Sequence, residues 1–216
     1  MNILKKALFV IFISILGTGC ATKVLQVSSP APIEPAVIKG YVKISEVNDL
    51  RQFQKAPKDP STPSIEGDLI DDKKLTDKSI GRMRHGLYHK ALWNYTIKGD
   101  EDIYDVCRKI AVGSLSRAGY VTVADGHENY DNAVPVAVDI LQFWAWMQPK
   151  FNIDLHFDGE LHIRSLDAQK QIDVSAKGEH MFSTGFAGGS AWTKVVNEGV
   201  KDLDKNLVLK FNGATE

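Results

Sequence analysis

Along residues 151–164 apolar and polar side chains alternate without a break. Ile153, Leu155, Phe157, Leu161 and Ile163 fall on one side, and Asn152, Asp154, His156, Asp158, Glu160, His162 and Arg164 on the other. A period of two marks a strand with one buried face. Asp158 and Gly159 have the composition of a two-residue hairpin turn. A turn there would set Phe157 opposite Glu160 and Leu155 opposite His162, so the apolar face of one arm would become the polar face of the other. Burying one large apolar side chain stabilises by roughly 1.5–3 kcal/mol, and the crossed register forfeits several of them while desolvating charges. The run is therefore one strand, with Gly159 at a bulge or a close approach.

The neighbouring segments extend this pattern. Residues 134–147 predict a long strand with Val136, Val138, Ile140, Trp144 and Trp146 on one side and Leu141, Phe143 and Met147 on the other. Residues 171–182 predict a third strand, completing a meander. Shorter strands are expected at 37–47, 91–98 and 120–124. Ile103, Val106, Cys107, Ile110, Ala111 and Leu115 recur at helical spacing, predicting a helix over 101–118 with Asp100 as N-cap and Gly119 as its stop. A second helix is expected with Ser190 as its N-cap, burying Trp192, Val195, Val196, Val200, Leu203 and Leu207. The expected fold is α+β: a two-layer α/β sandwich with a mostly antiparallel sheet and both helices packed on one face. Residues 54–78, with their prolines and a charge run, are expected to form an exposed loop.

The N-terminus changes the picture. Lys5 and Lys6 precede an apolar stretch that ends in small residues and Cys20, the layout of a secretory signal and too short to span a bilayer comfortably. The division expected is a signal peptide at 1–19, a Pro/Ser-rich tether at 20–36, one periplasmic domain at 37–210 and a tail at 211–216. Removing residues 1–19 takes two lysines and no acids, so the formal charge falls from −1 to −3, which argues against a nucleic-acid partner. Cys107 is then the single cysteine besides Cys20, and its place on the apolar stripe makes it a core side chain and not a nucleophile.

Leu16-Gly17-Thr18-Gly19-Cys20 resembles the lipobox of bacterial lipoproteins, with Gly17 where an aliphatic residue is usual. The resemblance implies diacylglyceryl modification and acylation (palmitate) of Cys20. Ala21 after the cysteine implies release to the outer membrane, with the domain facing the periplasm. From about residue 40 to 209 the order of elements is similar to the YajG family of lipoproteins. The likeness rests on Val42-Lys43-Ile44-Ser45 with Asp49 and Arg51, and on the helix exit Leu115 to Tyr120. It implies an envelope protein with no catalytic residues to carry over. Auxiliary lipoproteins of lipid-transport ABC systems look broadly alike.

Candidate chemistry is sparse. His156 and His162 share a strand face with carboxylates, but six residues of strand separate them by roughly 20 Å, against ligand distances of about 2 Å. His85 and His89 stand four apart without the HExxH glutamate, and residues 185–190 are Gly-rich without the Gly-Lys-Ser/Thr of a phosphate loop. No metal and no cofactor is expected. Trp144 and Trp146, two apart on one face, are either packed beneath a helix or a platform for a partner. The function expected is a non-enzymatic, membrane-anchored binding or assembly module for an envelope protein. The alternative is an accessory lipoprotein that binds a lipid or small hydrophobic ligand between helices and sheet for a transport system.

Overall fold

The structure, a computed structural model, describes residues 21–85, 91–168 and 172–213. The signal peptide, Cys20 and His89 lie outside the described residues. Among the described residues eight strands make one sheet: β1 (Ala21–Leu25), β2 (Gly40–Asp49), β3 (Ser79–Arg84), β4 (Ala91–Ile97), β5 (Tyr120–Thr122), β6 (Val134–Pro149), β7 (Ile153–Ser165) and β8 (Asp173–Thr184). The helices are α1 (Lys73–Thr76), α2 (Ile103–Arg117) and α3 (Gly189–Phe211).

The sheet is mixed, not mostly antiparallel. Four of the seven strand pairings are parallel: β1 with β4, β2 with β5, β2 with β6 and β3 with β6. The simple two-layer sandwich of a mostly antiparallel sheet is thereby replaced by a sheet with crossovers. Periodicity reports which face of a strand is buried; the direction of its neighbour depends on crossover connections, which leave no mark on that periodicity. The antiparallel part is the meander β6, β7 and β8, paired over nearly their whole lengths. β3 (Ser79–Arg84) is a strand that the basic composition of its sequence concealed.

β6 organises the sheet. One of its edges carries β7, while the other is shared: β2 occupies residues 134–140, and β3 pairs at Ala145 and Trp146. The seam between β2 and β3 is filled by the Arg51 guanidinium, which donates to the carbonyls of Ser79 (2.7 Å), Phe143 (3.3 Å) and Thr76 (3.0 Å). Asp49 accepts from its Nε and Nη2, both at 2.8 Å, so the buried charge is paired as well as solvated by carbonyls.

β7 is one continuous strand, and Gly159 pairs in register with Phe143 and Gly178. The bulge lies across from it, where Leu141 is the extra residue between Ile140 and Gln142. Gly159 is a point of close approach: a Cβ there would sit 3.2 Å from Leu203 Cδ2. At Gly178 a Cβ would meet the Leu203 backbone nitrogen at 2.2 Å, and at Gly199 the Phe157 ring at 2.1 Å. Three glycines thus let α3 lie directly on β7 and β8. Phe143 meets Phe157 edge to face, and Trp192 stacks on Tyr95 with centroids 4.2 Å apart.

α2 begins two residues later than expected, capped by Asp102 in a reciprocal capping box with Asp105. The N-cap of α3 is Gly188, not Ser190, and makes no side-chain cap bond. Cys107 is fully buried on α2, and burial pushes its thiol pKa far above the usual range. The segment expected to be a tether is laid onto the domain. Ala21–Leu25 is β1, and Leu25 and Val27 are buried. Farther on, Ile33 N–H donates to Ser116 Oγ (3.0 Å), and Arg117 donates to the Ala31 carbonyl (2.9 Å). Gly113 of α2 makes room for this segment, since a Cβ there would lie 2.4 Å from the Pro30 carbonyl oxygen.

Candidate functional site

The bulge at Leu141 decides where the tryptophans go. One extra residue inverts the alternation, so Val136, Val138 and Ile140 continue into Phe143, Ala145 and Met147 within the core beneath the helices. Trp144 and Trp146 are thrown onto the opposite face. They are neither beneath a helix nor open to a partner: Trp144 is fully buried and Trp146 is 6% exposed. A loop over residues 50–66 covers Trp144. Phe53 packs edge-on against its ring, and its indole N–H donates to the Pro60 carbonyl at 3.3 Å. Gln142 donates to the Ser61 carbonyl (3.1 Å), and Arg84 to the Pro57 carbonyl (2.7 Å) and to Ser64 Oγ (2.6 Å). The loop's three prolines carry no N–H, and it is held to the sheet by side-chain donors reaching its carbonyls. The expected exposed loop is in this part a cover, whose own Ser64 and Ile65 are buried.

Beside that cover the outer face of the meander is polar. Arg164 pairs with Asp139, Lys177 with Glu160, and His162 with Asp173. His156 stacks on Trp146 at 5.2 Å, and burial lowers its pKa. A shallow hollow of about 320 Å³ is lined by Gln142, Asp158, Glu160, Lys177 and Glu179. Asp158 stands directly across from Glu179, and its carboxyl is pushed up to about 6 by burial, then by Glu179. Among the described residues no group of three or more His, Cys, Asp and Glu is placed to hold a metal ion.

The candidate binding site lies at the far end of the molecule. Between residues 32–38 and β5 runs a groove of about 420 Å³, lined by Pro32, Ile33, Ile38, Tyr41, Tyr120 and His127. Ile33, Val37 and Ile38 are each more than half exposed. Thr122 Oγ1, also in the lining, is buried without a hydrogen-bond partner. Docking of the 28–33 segment on α2 builds one wall, and the three-residue edge strand β5 builds the other. None of these residues was expected to form a site, because the prolines around Ile33 read as a tether and Ile38 as the start of a strand. The groove can take an apolar side chain or short segment, with the unpaired Thr122 hydroxyl in its lining to orient it.

No family model and no curated protein matches this sequence. Nine solved chains are similar to it, among them the following two. One is protein XCC0632 from Xanthomonas campestris, of family DUF330, with TM-score 0.48, 10% identity and coverage of 89% of this chain and 95% of that one. The other is an uncharacterised protein with TM-score 0.39, 10% identity and coverage of 86% and 96%. No helix among the described residues is long and apolar enough to cross a membrane.

Proposed function

We propose that this chain is a lipid-anchored lipoprotein held at the outer membrane through Cys20, whose periplasmic domain binds an envelope partner in the groove between residues 32–38 and β5. The observation that carries it is the placement of that groove. It opens beside the first residues of β2 and β5, near the Val134 end of β6. β1 starts at the opposite end, near Met147. Roughly 40 Å of strand separates the two ends, so an anchored domain presents the groove away from the bilayer. Kinship with YajG-like outer-membrane lipoproteins belongs to the same proposal.

Two experiments test it. In crosslinked cells the wild type recovers a defined envelope protein, and the Ile33→Asp, Ile38→Asp double variant loses it while keeping its circular dichroism spectrum. Equal recovery by both proteins contradicts the groove as the binding site. Globomycin treatment leaves a slower-migrating precursor, and Cys20→Ser abolishes lipid-dependent membrane retention; an unchanged band removes the anchor.

A small hydrophobic ligand is the second reading, favoured by the groove's volume, which falls in the range of small-molecule pockets. The space between α3 and the meander does not serve, because Gly178 and Gly199 bring helix and sheet into contact. Native mass spectrometry separates the readings: a retained mass lost in the double variant supports the ligand, and bare protein supports the partner.

A further inference from the structure

Two phenylalanines stand nearly bare in the solvent, Phe151 fully exposed and Phe186 81% exposed. Isolated exposed apolar side chains are ordinary, but two whole aromatic rings on neighbouring turns at one end of a sheet are not. Both turns are built. Phe151 is at the apex of the β6–β7 connection, closed by Lys150 N–H donating to the Asn152 carbonyl at 2.8 Å. Phe186 follows β8 in a turn where Thr184 Oγ1 accepts from the Phe186 N–H (3.2 Å) and donates to its carbonyl (3.1 Å).

The sheet register shows where this end points. Ala21 is level with Trp93, which pairs with Met83. One residue along from the Arg82–Trp146 pair, that row continues into Met147, Leu155 and Phe182. The turns bearing Phe151 and Phe186 project just beyond it. From β1 to β8 this end of the sheet is six strands wide, β1, β4, β3, β6, β7 and β8, with five spacings that span about 24 Å. Cys20 is joined directly to Ala21, the first residue of β1, with no linker between them.

From this placement we infer that the end of the sheet carrying Phe151 and Phe186 rests on the lipid bilayer, with both rings inserted at the headgroup level. The inference rests on the lipid anchor proposed above, and it adds an orientation that the anchor alone does not supply. A lipid on Cys20 brings that end to the membrane without slack, and exposed phenylalanine rings gain by burial at the headgroup–acyl boundary. Cationic groups accompany the rings: Lys150 precedes Phe151 and pairs with Asp154 (2.8 Å), Lys23 lies over the Trp93 ring (3.7 Å), and Lys194 lies over Phe182 (4.0 Å). In the free protein these ammonium groups rest on the rings or on Asp154, and long flexible basic side chains at a membrane surface turn their charge to the headgroups. The three attachments, one lipid and two rings, hold the domain upright with the groove outward.

The test uses the full lipidated protein in vesicles of phosphatidylethanolamine and phosphatidylglycerol. Spin labels are placed singly through Phe151→Cys, Phe186→Cys and, at the far end, Val37→Cys, which is 75% exposed in the parent. Cys107 is fully buried and stays unlabelled, and the Cys20 sulfur is blocked as the diacylglyceryl thioether in this account. Flotation with the vesicles reports the anchor, and power saturation with oxygen against a water-soluble nickel complex reports depth. The expected result is that labels at 151 and 186 favour oxygen while the label at 37 favours nickel. Floating protein whose labels at 151 and 186 match the one at 37 overturns the membrane contact and leaves the anchor standing. Protein that does not float overturns both.

Discussion

The two faces of the β6–β8 meander are closed by different means. On one face α3 lies against the strands because Gly159, Gly178 and Gly199 remove the side chains that would hold it off, and large rings fill the remaining space. That face is excluded from water by shape. On the other face a proline-rich loop is tied down by Arg51, Arg84, Gln142 and Trp144, each donating to a carbonyl or hydroxyl of a neighbouring segment. That face is closed by directional polar bonds, and what remains uncovered is a paired, charged surface. The lesson is that neither face is left free for a partner over its aromatic groups, so the proposed contacts are at the ends of the sheet.

The largest expected effect comes from the polar side. Arg51→Ala strands the Asp49 carboxylate in the seam and deprives three carbonyls of their donor, which is expected to destabilise by about 3–5 kcal/mol in urea unfolding. A loss below about 1 kcal/mol would show that the seam closes without it. On the helix side, Gly178→Ala places a methyl against the Leu203 backbone, which has no soft end to yield, so a cost of about 3 kcal/mol is expected. If it proves neutral in the same unfolding experiment, α3 is not seated on that glycine.

Trp144→Phe keeps most of the ring and loses its bond to Pro60, with an expected cost of about 1 kcal/mol. Faster proteolytic cleavage within residues 50–66 would accompany it, detected by mass spectrometry of the fragments. The smallest effect carries a sign. Asp158 holds its proton up to about pH 6 in the fold but releases it near 4 when unfolded, so its charge opposes folding. The penalty is complete above pH 6 and disappears as the pH falls to 4. Asp158→Asn should therefore melt higher than the wild type at pH 7.5 and equal to it near pH 4, by calorimetry. A variant less stable at pH 7.5 would show that the carboxylate is held favourably in the hollow.

Local pattern was enough for much of this fold. The even and odd residues of 151–164 separate as alternation demands, and parity correctly rejected a hairpin at Asp158-Gly159. The stripe from Ile103 to Leu115 is buried as its spacing requires. What alternation does not carry is a bulge. Leu141 reads like any other strand residue, yet it moves Trp144 and Trp146 to the face away from the helices. Strand direction was equally hidden, because the parallel pairs of β2 with β5 and β6 are made by chain far away in sequence. The groove was illegible for a related reason: Ile33 and Ile38 acquire a site only when the segment containing them docks on α2, and composition alone made that segment a tether.

The central claim, that binding occurs at the end remote from Cys20 and not on a face of the meander, is tested most directly by photocrosslinking in living cells. A photoreactive amino acid is placed at Ile38 in the groove or at Gln142 on the outer face. The account predicts a discrete protein adduct from position 38 and none from 142. An adduct from 142 with none from 38 would contradict it.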